Sequence, residues 1–189
     1  LAKFSACDDS RAHARARLGI PREAFVVGFV GRHCDEKGAD VLVETLCDVM
    51  PQREDVYALW VGDGPDRERT IESLQRRTGL ARHRLVDWTK TPEHYYSAMD
   101  CLVAPSRIQE TFGRVVVEAQ ACAVPVIAMA QAGMVEAFAP GVSGVPIYKL
   151  DTTTLGTAIL ALRDDPALRS QFSAQGMAFA SRFEMHRIA

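Results

Sequence analysis

The chain has 189 residues, of which 48% are apolar and 24% charged, with a net charge of −2 at pH 7. That length and composition fit one soluble globular domain with a substantial core. The near-balanced charge excludes a basic surface for nucleic acid, no apolar run is long enough to cross a bilayer, and the N-terminus carries no signal-peptide pattern.

Roughly the first twenty residues fit no strand–helix unit of their own. From Phe25 onward, short apolar runs alternate with amphipathic segments. Phe25 to Gly31 reads as a buried strand bounded by turn signals. Arg32 follows it, and Glu36-Lys37-Gly38 opens a helix with apolar positions Val41, Leu42, Leu46 and Val49, running to Met50. Arg32 and Lys37 therefore stand together at a strand end near a helix start. Basic residues there oppose the helix dipole. As a pair they would neutralise a diphosphate and stabilise charge growing on it as a leaving group. The bland alternative is a surface arginine paired with Asp35 or Glu36.

Val56 to Val61 is the next strand, and Pro65 fits the first turn of a helix running to about Thr78. The intervening Gly62-Asp63-Gly64 is no dinucleotide fingerprint, because the sixth position is Arg67 and the stretch follows the second strand. Arg84 to Val86 is a third strand. Trp88 follows it, either lining a nucleobase pocket or packing as an ordinary core residue. Glu93 to Met99 is a short helix that Tyr95 and Tyr96 would pack. Asp100 to Ala104 is a fourth strand, and Val124 to Ala128 a fifth. Gly133 to Phe138 is a short helix whose Glu136 either contacts a ligand or caps its own helix. Gly144 to Ile147 is the last strand, followed by helices at about Thr153 to Arg163 and Pro166 to Ser181. This alternation predicts an α/β parallel sheet with helices on both faces, right-handed crossovers and a ligand site beyond the strand carboxyl ends.

Between the fourth strand and the Glu118 helix lies the most informative stretch, Pro105 to Ala119. It places a loop carboxylate, Glu110, eight residues before a helical carboxylate, Glu118, with Gly113 near the helix start. A helix start offers unpaired N–H groups and partial positive charge to a phosphate. Gly113 lets a ligand approach the backbone closely, and a carboxylate accepts two hydrogen bonds, as a ribose diol requires. A nucleotide sugar fits that arrangement, although Glu pairs at this spacing are also common on solvated surfaces. The sequence has no P-loop and no Asp-x-Asp motif, so the protein itself must balance a bound diphosphate.

Five cysteines (Cys7, Cys34, Cys47, Cys101 and Cys122) form no CxxC pair. The simplest reading is a reducing, cytoplasmic compartment with Cys101 and Cys122 packed as small hydrophobes. The histidines His13, His33, His83, His94 and His186 show no metal-ligand spacing. His33 reads as structural or solvent-exposed.

Several stretches match one family together. They are Val30-Gly31-Arg32 with Glu36-Lys37-Gly38, Val61 to Pro65, Asp100 with Pro105-Ser106, Glu110-x-Phe112-Gly113, Glu118-Ala119, Pro125-Val126-Ile127, Gly133 with Glu136, and Asp151 with the final helices. In that order and spacing the chain resembles the C-terminal, donor-binding domain of a group 1 (family 4) retaining glycosyltransferase of GT-B fold. The resemblance implies a single Rossmann-like domain over residues 1–189, the C-terminal half of a GT-B fold, with an N-terminal acceptor domain outside this chain. It implies Glu110, Arg32 and Lys37 as catalytic residues: Arg32 and Lys37 on the donor diphosphate, Glu110 on the donor sugar near its reacting carbon. It further implies a phosphate cradle from the backbone of Thr111, Phe112, Gly113, Arg114 and Val115, and Glu118 on the ribose, while Trp88 at the base rests on its place after the third strand.

The implied donor is a UDP-, GDP- or ADP-linked sugar. No metal or other cofactor is implied, no nucleic acid, and little activity in the isolated domain. Peripheral contact with the inner membrane face through the other half stays open. The departures are Thr111 and Ala123 where the family usually has Gly, Gln120 for a common Met without expected consequence, and a short Trp88 to Pro92 segment. The competing readings are a non-catalytic nucleotide-sugar binding module and a GT-B nucleotide-sugar epimerase.

Overall fold

The computed structural model describes Phe4 and residues 8–183; Cys7 and His186 lie outside them. Six parallel strands form one sheet in the order β3-β2-β1-β4-β5-β6. They are β1 (Phe25–Val30), β2 (Val56–Val61), β3 (His83–Val86), β4 (Cys101–Ala104), β5 (Val126–Met129) and β6 (Val145–Ile147). The helices are α1 (Asp8–Arg17), α2 (Ala39–Val49), α3 (Arg67–Arg77), α4 (Glu93–Tyr96), α5 (Arg114–Ala121), α6 (Met134–Ala137), α7 (Thr152–Asp164) and α8 (Pro166–Ala180).

Side chains alternate across the sheet with the strand period of two. Val27, Phe29, Trp60, Val103 and Ile127 enter one core with Leu42 and Leu46 of α2 and Ile159 of α7. Val26, Leu59, Leu102, Val126 and Ala128 enter the other with Val116 of α5 and Met134 of α6. Burial on both faces explains why these strands read as continuous apolar runs. Asp151 and Asp165 cap α7 and α8 by accepting the N–H groups of Thr154 (2.7 Å) and Leu168 (2.9 Å).

Three sequence expectations need correction. The N-terminal stretch does carry an element, α1. It is tied to the sheet by buried Arg15, which donates to Asp100 Oδ2 at 2.6 Å and to the carbonyls of Ala98 and Ala24. Asp100 also accepts the Val26 N–H at 2.7 Å, so it closes the edge of the sheet opposite the strand carboxyl ends. Pro65 lies in a turn before α3 rather than inside it. The segment after β3 is helical only over Glu93–Tyr96, with turns following.

The strand order reverses between β1 and β4. Their carboxyl ends deliver Gly31-Arg32 and Pro105-Ser106 side by side, which is where such folds bind ligands.

Candidate functional site

The loop after β1 and the loop after β4 are locked together. After β1 the chain makes a short 3₁₀ turn, Asp35–Lys37, and then Gly38 enters α2 at φ +68°. A Cβ on Gly38 would lie 2.1 Å from the Pro105 carbonyl oxygen, so only glycine lets the β4 loop cross there. Arg107 completes the join. Its N–H donates to the Glu36 carbonyl at 2.8 Å, and its guanidinium holds both Asp40 oxygens at 2.7 and 2.6 Å. Such a fork–fork pair fixes geometry as well as charge.

This packing brings together two residues far apart in sequence. Lys37 Nζ donates to Glu110 Oε1, and Ser106 Oγ donates to the same oxygen at 2.7 Å. Burial alone would raise the Glu110 carboxyl. The hydrogen bonds from Lys37 and Ser106 outweigh it and hold the group below its usual range. Gln131, at the end of β5, donates to the carbonyls of Ser106 (2.9 Å) and Ile108 (3.1 Å), pinning the loop that carries Glu110.

Helix α5 begins at Gly113, which sits in the left-handed region at φ +69°. No side chain caps this helix start among the described residues, and Val116 N–H donates to the Gly113 carbonyl at 3.0 Å, which leaves the start of α5 at Arg114 and Val115 to attract an anion. One turn in, Glu118 is only 8% exposed. Its Oε2 accepts from the phenol of fully buried Tyr96 at 3.0 Å, and its Oε1 accepts from Arg114 at 3.3 Å. Burial, then the neighbouring Glu118 charge, pushes the Tyr96 phenol well above its ordinary value, so it remains a donor.

Two adjoining cavities open along this edge. The larger, about 1150 Å³, is lined by Arg32, Trp88, Arg114, Val115, Glu118 and the Gly62–Gly64 loop, among others. The smaller, about 370 Å³, is lined by Lys37, Ser106, Glu110, Thr111, Phe112 and Gly113, among others. Val30, Gly31, Arg114 and Val115 line both. Sharing these walls, the two make a two-lobed cleft: one lobe bears a buried carboxylate and an aromatic wall, the other a lysine–carboxylate pair, and they adjoin at the N-terminus of α5.

A family model for glycosyl transferases group 1 matches residues 24–165. The chain belongs to this family of glycosyltransferases. A D-inositol 3-phosphate glycosyltransferase 1 from Catenulispora acidiphila is 37% identical over 185 residues, covering 92% of this chain and 44% of the relative. A D-inositol 3-phosphate glycosyltransferase from Stackebrandtia nassauensis is 35% identical over 183 residues, covering 90% of this chain and 41% of the relative. The chain thus spans less than half the length of these curated relatives.

Among solved structures, Anabaena HepE in complex with UDP and glucose superposes with a TM-score of 0.86 at 25% identity, over 96% of this chain and 50% of that one. The C-terminal domain of a group 1 glycosyl transferase (LpcC) from Francisella tularensis superposes at 0.81 with 20% identity, over 96% and 95% of the two chains, which shows the shared fold.

Every residue read from the sequence as a glycosyltransferase site lines this cleft: Arg32, Lys37, Trp88, Glu110, Thr111, Phe112, Gly113, Arg114, Val115 and Glu118. Arg32 is exposed and donates to Glu36 Oε2 at 3.0 Å, so the surface pairing and the cleft position coexist. Trp88 is 65% exposed, which removes the core alternative. Glu136 is exposed and α6 has no side-chain cap among the described residues, so it does not cap its own helix.

His33 is buried against Phe29 and Trp60, behind the Arg32 turn, and is structural rather than exposed. Gln120 does have a consequence. Its buried amide donates to the carbonyls of Val116 (3.2 Å) and Ala137 (2.7 Å), joining α5 to α6. Sequence reasoning missed the Tyr96, Arg107 and Gln131 contacts, because each joins segments that no local spacing relates.

Among the described residues, no cluster of His, Cys, Asp or Glu could hold a metal ion. None of their helices is long and apolar enough to cross a membrane.

Proposed function

We propose that this chain is the donor-binding domain of a retaining, metal-independent glycosyltransferase, which moves a sugar from a nucleoside-diphosphate sugar to an acceptor hydroxyl. The observation that carries the proposal is the two-lobed cleft meeting at the start of α5. Glu118 takes the ribose hydroxyls and Trp88 borders the base in the larger lobe. The diphosphate crosses the α5 N-terminus, with Arg32 and Lys37 supplying positive charge. Glu110 meets the donor sugar in the smaller lobe.

The Lys37–Glu110 pair gives each residue a second task. Lys37 stabilises the leaving diphosphate while holding Glu110 ionised and oriented beside the sugar. In the reaction the bond between the sugar's anomeric carbon and the phosphate oxygen breaks. A bond to the acceptor oxygen forms on the same face, and the leaving phosphate takes the acceptor proton. Metal independence rests on Arg32 and Lys37 standing where the diphosphate charge would fall. HepE, at 25% identity, binds UDP, which makes UDP the first nucleotide to test. The acceptor is read by a second Rossmann-like half of a longer chain, and this domain alone transfers little.

The test is a transfer assay on the longer chain in excess chelator, with the product's anomeric configuration read by NMR coupling constants. Retained configuration and undiminished turnover are expected. Inversion, or activity abolished by chelation and restored by a divalent metal, would overturn the mechanism.

A further inference from the structure

We infer that Arg114 changes partner when the donor binds, leaving Glu118 for the diphosphate and so linking ribose recognition to phosphate recognition. The inference rests on the donor-site reading above, in which Arg114 contributes only its backbone.

Arg114 is the only charged residue among the four that line both lobes of the cleft. Any group connecting a nucleoside in one lobe to a sugar in the other passes this junction. The side chain is therefore placed for the diphosphate, on the same first turn of α5 whose backbone attracts an anion.

Its present partner is the carboxylate that the ribose needs. Tyr96 holds Glu118 Oε2 from the buried side at 3.0 Å, and Arg114 occupies Oε1 at 3.3 Å. A ribose diol that takes Oε1 competes with Arg114. The tether is loose: Arg114 is 84% exposed and its contact with the buried Glu118 carboxylate is long, at 3.3 Å. A diphosphate is the stronger partner for a guanidinium, because it offers short, charge-assisted and bidentate hydrogen bonds. Drawing Arg114 onto the phosphate frees Oε1 for the ribose, and by linkage ribose binding frees Arg114 for the phosphate. Tyr96 keeps the carboxylate oriented throughout.

The exchange predicts opposite responses to one substitution. Arg114→Gln removes the phosphate contact and also the competitor for Oε1. UDP should weaken by about tenfold, the size of one lost charge-assisted contact. Uridine, which has no phosphate, should bind about two- to threefold tighter. Both are titrated by ligand-detected NMR into this chain and the variant, and the UDP-to-uridine affinity ratio is the readout. A UDP affinity that falls about tenfold while uridine tightens supports the exchange, and a UDP loss with uridine unchanged overturns it, leaving a phosphate contact alone. A ratio left unchanged, whether both ligands weaken together or neither responds, overturns it. Arg114→Lys, which keeps the charge without the fork, should recover only part of the ratio.

Glu118→Ala is measured alongside. If neither ligand responds to it, the ribose assignment of the donor site fails and the exchange falls with it. If both respond but Arg114→Gln leaves the ratio unchanged, only the exchange fails.

Discussion

Acid should destabilise this domain through two buried histidines, and the size of the effect follows from their surroundings. Burial lowers His33 from 6.5 to about 4, with the Arg67 charge adding to it and Asp63 partly opposing. Burial likewise lowers His83 from 6.5 to about 4, helped by Arg82 and Arg84. His83 is held neutral in a chain: its Nδ1 accepts from Trp60 Nε1 at 3.3 Å, and its Nε2 meets Thr78 Oγ1 at 3.0 Å. Both folded values lie below the unfolded one, so the unfolded chain binds more protons in this range. Stability is then intact above about pH 6.5 and is lost as pH falls from there towards 4. At pH 5 each histidine costs about 2 kcal/mol, and the pair about 4 kcal/mol. That is a large part of the roughly 5–15 kcal/mol a domain possesses. Urea unfolding at a series of pH values between about 7 and 5 measures it, in a window where ordinary carboxylates barely titrate. His33 follows Arg32 directly, and in the folded protein its NMR titration should fall near pH 4, below the window of the unfolding series. Stability that is flat from pH 7 to 5, or histidine titrations near 6.5 in the folded protein, would refute the reasoning.

Gly38→Ala should destabilise the domain by about 2 kcal/mol or more, because it forces a left-handed backbone on a side chain whose Cβ meets the Pro105 carbonyl at 2.1 Å. Nucleotide-sugar binding should weaken with it as the Lys37 and Glu110 loops separate, read by denaturation and titration together. Tyr96→Phe leaves Glu118 Oε2 buried without its donor, at a cost of about 1–3 kcal/mol in urea unfolding, with ribose-dependent affinity falling in a nucleotide titration. Asp100→Ala strands the buried Arg15 guanidinium and should cost about 3–5 kcal/mol in thermal or urea unfolding.

The sheet was legible because its strands are buried on both faces. Runs such as Phe25–Val30 and Val56–Val61 have no polar face to confuse with a helix. Helix α1 was not legible, because its sequence, DDSRAHARAR, has no apolar stripe. What secures it is an ion pair from Arg15 to Asp100, 85 residues away. The candidate site was legible as residue types at strand ends and a helix start, which the topology gathers along one cleft. Its internal wiring was not. That Tyr96 orients Glu118, or that Gln131 pins the Glu110 loop, depends on crossover geometry rather than spacing. Ala123, which departs from the family's usual glycine, stands at φ +61° where a glycine would relax, a strain visible only in the backbone.

The proposed donor site requires one cleft to bind a nucleoside diphosphate through Glu118 and Arg32. Calorimetric titration of UDP, GDP and ADP into this chain, with Glu118→Ala and Arg32→Ala in parallel, tests it most directly. One nucleotide should be preferred, and each substitution should weaken it by about tenfold or more. Absence of binding at millimolar nucleotide in both this chain and the longer protein, or binding indifferent to both substitutions, would contradict it.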